Sequence, residues 1–228
     1  METYVMRVWL PDRPGALGAV ASRIGAVRGD VVGIDILETG AGIAVDELVV
    51  RLPQESLIDL VVAEVHEVDG VTVEDVRPVG EAGGDPRLDA LETAAMICGA
   101  DTMEELLRAL VVHGGCTLGA EWTSVVDLVA GAVWATSGTA PNEAWLSAFV
   151  RGARASGDDQ AMGAEDVAWA PLPGVDLALV AGRSGTPFRA KERRQVAALA
   201  RVAGTRAREV GRDRSWRAHP SASMAPGH

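Results

Sequence analysis

The sequence predicts an α+β protein of two folded units: a βαββαβ sandwich over residues 4–79 and a second sheet-and-helix unit over 88–204. Three observations carry this reading. Met6, Val8 and Leu10 are apolar at every second position, the period of a strand with one face on a core. Leu17, Val20, Ala21, Ile24 and Val27 then recur at helical spacing. Gly80-Glu81-Ala82-Gly83-Gly84-Asp85-Pro86 has no apolar period and is dense in chain breakers, so it separates two units. The expected boundaries are 1–80, a linker at 81–87, 88–204, and a basic tail at 205–228.

The first unit turns on Pro11-Asp12-Arg13-Pro14-Gly15-Ala16-Leu17, where strand pattern gives way to helix pattern. Pro14 lacks an N–H and has a φ suited to a first helical turn, so the helix is expected over Pro14–Arg28, ended by Gly29, with Asp12 placed to cap it. Gly15 lets another molecule approach the backbone closely. Free amides at the positive end of a helix favour a carboxylate or phosphate. Asp12 beside them suits a cation, so the corner fits a zwitterion: carboxylate on the amides of Gly15 to Leu17, ammonium on Asp12. The plainer alternative is that Asp12 only caps and Gly15 only turns.

The remaining elements follow in order. Val31–Glu38 and Ala44–Leu52 form a hairpin around Thr39-Gly40-Ala41-Gly42, with Leu48, Val50 and Leu52 on one face. Gln54, Glu55 and Ser56 open a second helix striped by Leu57, Leu60, Val61 and Val65. Gly70 ends it, and Val71–Val79 is the last strand. Both helices should pack on one sheet face, and the other face, only partly apolar, needs a second sheet, another domain or water.

Composition narrows the function classes. With 48% hydrophobic residues and 23% charged, the chain can bury a real core, and no stretch of eighteen apolar residues occurs. Its start lacks the basic, apolar and small-residue order of a signal peptide, so a cytoplasmic location is expected, with no membrane partner. A net charge of −11 opposes a phosphate backbone, which argues against nucleic-acid binding. Cys98 and Cys116 are too few for a disulfide framework and are expected to be reduced and buried.

Four motifs in order, Leu10-Pro11-Asp12-Arg13-Pro14-Gly15-Ala16-Leu17, Gly33-Ile34-Asp35-Ile36, Asp46-Glu47-Leu48-Val49-Val50 and Val68-Asp69-Gly70-Val71, give residues 4–79 a resemblance to the ACT domain, a ferredoxin-like module that binds amino acids in metabolic regulators. The resemblance implies that domains pair and that ligand sits where the first-strand corner meets a partner. It carries Asp12, Arg13, Gly15 and Leu17 into a candidate ligand site, with Asp35 on the second strand as a further member. One clear copy per chain implies a homodimer through the ACT sheet.

In the second half, Leu88, Leu91, Ala95 and Cys98 mark a short helix. Asp101 or Thr102 caps another, striped by Met103, Leu106, Leu107, Leu110 and Val111 and ended by Gly114-Gly115. Strands are expected at 121–128 and 130–136, a helix from Pro141-Asn142 to about Ala155, and a polar loop at 156–163. A hairpin follows at 166–172 and 175–182, then a helix from Arg189 to about Ala203. Pro171-Leu172, the strand Leu177–Gly182, Pro187-Phe188 and the charged start Arg189-Ala190-Lys191-Glu192 resemble a GAF domain, a sensor fold related to PAS. The residues before them are short for that family, so no ligand residues are transferred. Residues 205–228 contain five Arg, lack an apolar face and are expected to be a disordered tail.

Other chemistry finds little support. His113 and Cys116 have no second ligand pair and no third group to orient a base, so neither metal nor a catalytic pair is expected. Gly182-Arg183-Ser184-Gly185-Thr186 lacks the Lys of a phosphate loop and reads as a turn. Trp122, Trp134, Trp145 and Trp169 are expected in core packing. The basic run Arg189, Lys191, Arg193, Arg194 is expected to be a solvated helix face. The expectation is a non-enzymatic regulator without cofactor. It would bind an amino acid at the ACT domain and signal through dimer rearrangement and the GAF-like unit, alone or to a protein partner. The alternatives are a dimerisation module without ligand and, more remotely, an enzyme of unrecognised type.

Overall fold

The computed structural model describes residues 1–79, 86–156 and 165–213. The chain divides into two compact units, Met1–Pro86 with Ser184–Arg194, and Arg87–Arg183 with Gln195–His228.

The first unit contains β1 (Glu2–Pro11), α1 (Ala16–Ala26), β2 (Asp30–Gly40), β3 (Ile43–Leu52), α2 (Ile58–His66, entered through a 3-10 turn at Glu55–Leu57) and β4 (Thr72–Pro78). Its sheet runs β2-β3-β1-β4 with every pair antiparallel, the ferredoxin-like arrangement expected from the element order. Tyr4, Met6, Val8, Leu10, Leu48, Val50 and Leu52 pack from the sheet against Val20 and Ile24 of α1 and Val61 and Val65 of α2. The two strand periods therefore bury against the two helix stripes.

Helix α1 starts two residues later than Pro14 suggests, because Gly15 takes φ +89° and the Ala16 N–H donates to the Arg13 carbonyl in a turn that precedes the helix. It ends before Gly29, where a Cβ would stand 2.6 Å from Ile24 Cγ2, so only glycine lets the chain turn tightly into β2.

The second unit contains α3 (Pro86–Gly99), α4 (Met103–Thr117), β5 (Trp122–Asp127), β6 (Val133–Gly138), α5 (Glu143–Ser156), β7 (Val167–Leu172), β8 (Leu177–Gly182) and α6 (Ala190–Asp213), whose first turn counts with the first unit. Its antiparallel sheet runs β6-β5-β8-β7. Thr102 and Glu105 form a reciprocal capping box on α4, and Asn142 Oδ1 accepts the Trp145 N–H at the start of α5.

Three expectations for this half are corrected. Helix α4 continues through Gly114-Gly115, because both glycines are buried and Gly115 lies against Thr123 of β5. The pair serves close helix-sheet packing rather than termination. Cys98 and Cys116 are free as expected, but both face solvent, each next in sequence or one turn from the buried positions Ile97, Gly114 and Gly115. Helix α6 runs to Asp213, so residues 205–213 of the expected disordered tail are helical. Ala207 is fully buried there, and Arg206 donates to the Ala100 carbonyl at 2.9 Å while pairing with Glu209. Residues 81–85 of the expected linker (81–87), 157–163 of the expected polar loop (156–163) and 214–228 of the expected tail lie outside the described residues, while 86–87 begin α3 and 156 ends α5.

Candidate ligand-binding site

β1 delivers its last residues to a corner held by backbone bonds. The Asp12 N–H donates to the Gly42 carbonyl at 2.9 Å, tying the corner to the turn between β2 and β3, and the Arg13 N–H donates to the Pro11 carbonyl at 2.8 Å. Gly15 caps α1 with its backbone and no side chain caps the helix, so Asp12 does not fill the capping role expected of it. Its carboxylate stands exposed instead.

Nothing lies within 4 Å of the place a Gly15 Cβ would take, so the backbone is open to close approach. Of the amides of Gly15 to Leu17 assigned to a carboxylate, that of Ala16 donates to the Arg13 carbonyl, while that of Leu17, and that of Gly18 beyond the assigned set, have no partner among the described residues and lie at the positive end of α1. Leu17 is half-buried against the core, and Arg13 is exposed, 4.0 Å from a fully exposed Asp69.

The sheet register separates the fifth predicted residue from the other four. Asp35 stands opposite Glu47, and Glu47 opposite Arg7, so Asp35 belongs to the sheet face away from the helices. There it pairs with Lys191.

That outer face is an ion network. Arg7 is fully buried and donates to Glu47 from Nε at 3.1 Å and Nη2 at 2.7 Å, to Glu192 at 3.0 Å, and to the Pro187 carbonyl at 2.9 Å. Arg77 adds a 2.7 Å bond to Glu47. Arg189 lies 4.6 Å over the Trp9 ring and pairs with Glu74. Burial alone would raise the Glu47 carboxyl, but Arg77 and Arg7 outweigh it and hold the group below its ordinary 4.5. Burial opposes the Arg7 charge, and Glu192 and Glu47 more than restore it. The segment 184–194 thus covers the second face of the sheet. The reading of Arg189 and Lys191 as a solvated helix face is corrected, since both are spent on sheet carboxylates.

The helix-side face holds an acid that sequence reasoning missed. Asp46 sits in β3 between Val8 of β1 and Ile36 of β2, at the same phase as Ala44, Leu48 and Val50, and is 3% exposed. Its Oδ1 has no hydrogen-bond partner among the described residues. Burial raises the carboxyl above its ordinary 3.8, and the nearby charges of Asp12 and Asp35 push the same way. The signal was an acid at the core-facing phase of an otherwise apolar alternation.

In the second unit, an open cleft of about 420 Å³ is lined by Val133, Thr136, Gly138, Pro141, Glu143 and Leu146. Trp169 is buried as expected. Trp145 is 41% exposed, stands edge-on to Trp122 and stacks on Phe149 at 5.3 Å, so that group is only partly core. Among the described residues, no group of three or more His, Cys, Asp or Glu is placed to hold a metal ion. Among the described residues, no helix is long and apolar enough to cross a membrane.

No protein-family model matches the chain, and no curated protein does. Solved structures matching its N-terminal third include the ACT domain of GTP pyrophosphokinase from Chlorobium tepidum (15% identity, 34% of this chain and 99% of that one, TM-score 0.28). An ACT domain protein from Streptococcus pneumoniae is similar over 34% of this chain and 90% of its own (13% identity, TM-score 0.29). An unknown protein from Galdieria sulphuraria matches 94% of each chain at 13% identity and a TM-score of 0.34. At these scores the strand order, not the likeness, carries the description of the fold.

Proposed function

We propose that the chain is a non-enzymatic, cytoplasmic regulatory protein whose first unit is an ACT domain that binds an amino acid at the corner between β1 and α1. The observation that supports this most is the open corner itself. Amides of Leu17 and Gly18 without partners, a Gly15 backbone with nothing packed on it, and an exposed Asp12 offer a carboxylate site beside a cation site. The ammonium contact to Asp12 contributes about 1.5–3 kcal/mol and the helix-end contact about 0.3–2 kcal/mol. The second unit is carried in this reading as a GAF-like sensor or relay, and ligand acts by stabilising one homodimer arrangement over another, by no more than its differential affinity for the two.

A thermal-shift screen of the full chain against the twenty amino acids tests it. A ligand at about one hundred times its Kd adds roughly 2.7 kcal/mol of stability, and Asp12→Ala is expected to abolish the shift while leaving the oligomeric state unchanged. Full affinity in that variant would place the ammonium elsewhere.

A second reading, pairing without ligand, is favoured by one feature. β2 is an edge strand on which Val32, Ile34 and Ile36 are about half exposed, a surface suited to a second copy. Silence across the amino-acid panel together with a stable dimer would select it.

A further inference from the structure

We infer that Asp46 takes a second positive charge, so that the ligand class is an amino acid with a cationic side chain. This rests on the amino-acid reading of the corner and narrows it.

The argument begins with charge balance. An α-carboxylate on the amides of Leu17 and Gly18 and an α-ammonium on Asp12 leave nothing for Asp46, whose buried Oδ1 has no partner among the described residues. Asp35, the other nearby acid, is already paired with Lys191. A buried carboxylate without a counter-charge is costly, and a fixed cation supplied with the ligand removes that cost.

Access comes from the β2 side. The register places Ile36 opposite Asp46 and Ile34 opposite Leu48, so both isoleucines stand on the same face as Asp46. They are 54% and 47% exposed, whereas Val8, on the other flank of Asp46, is fully buried. The β2–β3 register slips between Ile36 and Glu38, next to Asp46, loosening the ladder at that point. A side chain with an apolar stem and a charged head fits this arrangement, its methylenes along Ile36 and Ile34 and its head on Asp46. A neutral side chain could use the isoleucines but would leave the acid unpaired.

Isothermal titration calorimetry of the full chain with L-lysine, L-arginine, L-norleucine and L-glutamine at low salt tests the inference. Lysine or arginine is expected to bind at least about tenfold more tightly than norleucine and glutamine, a difference of about 1.4 kcal/mol. Asp46→Asn is expected to erase that preference while still binding norleucine. Equal wild-type affinities for all four, or a preference that survives Asp46→Asn, would overturn the inference and leave the amino-acid reading standing. No binding of any of the four would overturn the inference, whereas only silence across all twenty amino acids would overturn the reading it rests on. The wild-type ratio is decisive by itself should the variant fail to fold.

Discussion

The two faces of the first sheet treat buried charge in opposite ways. On the outer face, the acids Glu47, Glu74 and Asp35 are each met by a cation of the same chain: Arg7 and Arg77, Arg189, and Lys191. On the helix side, Asp46 is at least as well buried and has none among the described residues. Buried ion pairs survive when each charge is met by an opposite one, and the outer face meets that condition, although Glu74 Oε2 and Arg189 Nε make no hydrogen bond among the described residues. The difference separates acids whose charge the chain itself compensates from one whose charge it does not.

Breaking the closed face should have the largest effect. Arg7→Met leaves Glu47 and Glu192 without their shared cation and is expected to cost about 3–5 kcal/mol in chemical denaturation, the range for removing one partner of a buried pair. A loss below 1 kcal/mol would mean that the carboxylates repair themselves through Arg77 and water. Glu47→Gln is expected to cost about 1.5–3 kcal/mol, since it weakens charged bonds from two arginines. Because the Glu47 carboxyl is held below 4.5, its contribution is present above that pH and is lost as pH falls through the folded value. The gap between Glu47→Gln and wild type should therefore narrow under acid.

The open face should respond with the other sign. Asp46→Asn is expected to raise the melting temperature of the ligand-free protein at pH 7–8, each 1 kcal/mol appearing as about 2–4 °C. A carboxyl held above its ordinary 3.8 stabilises the fold below that value and loses this contribution as pH rises through the folded value, so variant and wild type should converge toward pH 4. A lowered melting temperature at neutral pH would show that Asp46 has a structural partner. Lys191→Ala, which removes a pair about one-third exposed on both sides, is expected to cost only about 0.2–1 kcal/mol and less at high salt.

Much of this was legible along the chain, and particular residues show where legibility stopped. Met6, Val8, Leu10 and the stripe Val20, Ile24 announced their elements by period, and the strand order followed. Pro14 misled because the left-handed Gly15 after it delays the helix, a conformation that the residue types alone permit but do not require. Arg189 and Lys191 read as solvated because their partners Glu74 and Asp35 lie 115 and 156 positions away. Of the candidate site, Asp12, Arg13, Gly15 and Leu17 were found together because they are local, while Asp35 was assigned to the corner without knowledge of its face.

Local pattern alone therefore determined the alternation of strands and helices, the βαββαβ order and the place of the corner, since these depend on side-chain period and on turn chemistry within a few residues. Only the tertiary structure decided which acids are neutralised and which are not, because charge compensation is set by distance in space. In this chain it takes residues 184–194 to close one face of the first sheet and leaves Asp46 open on the other.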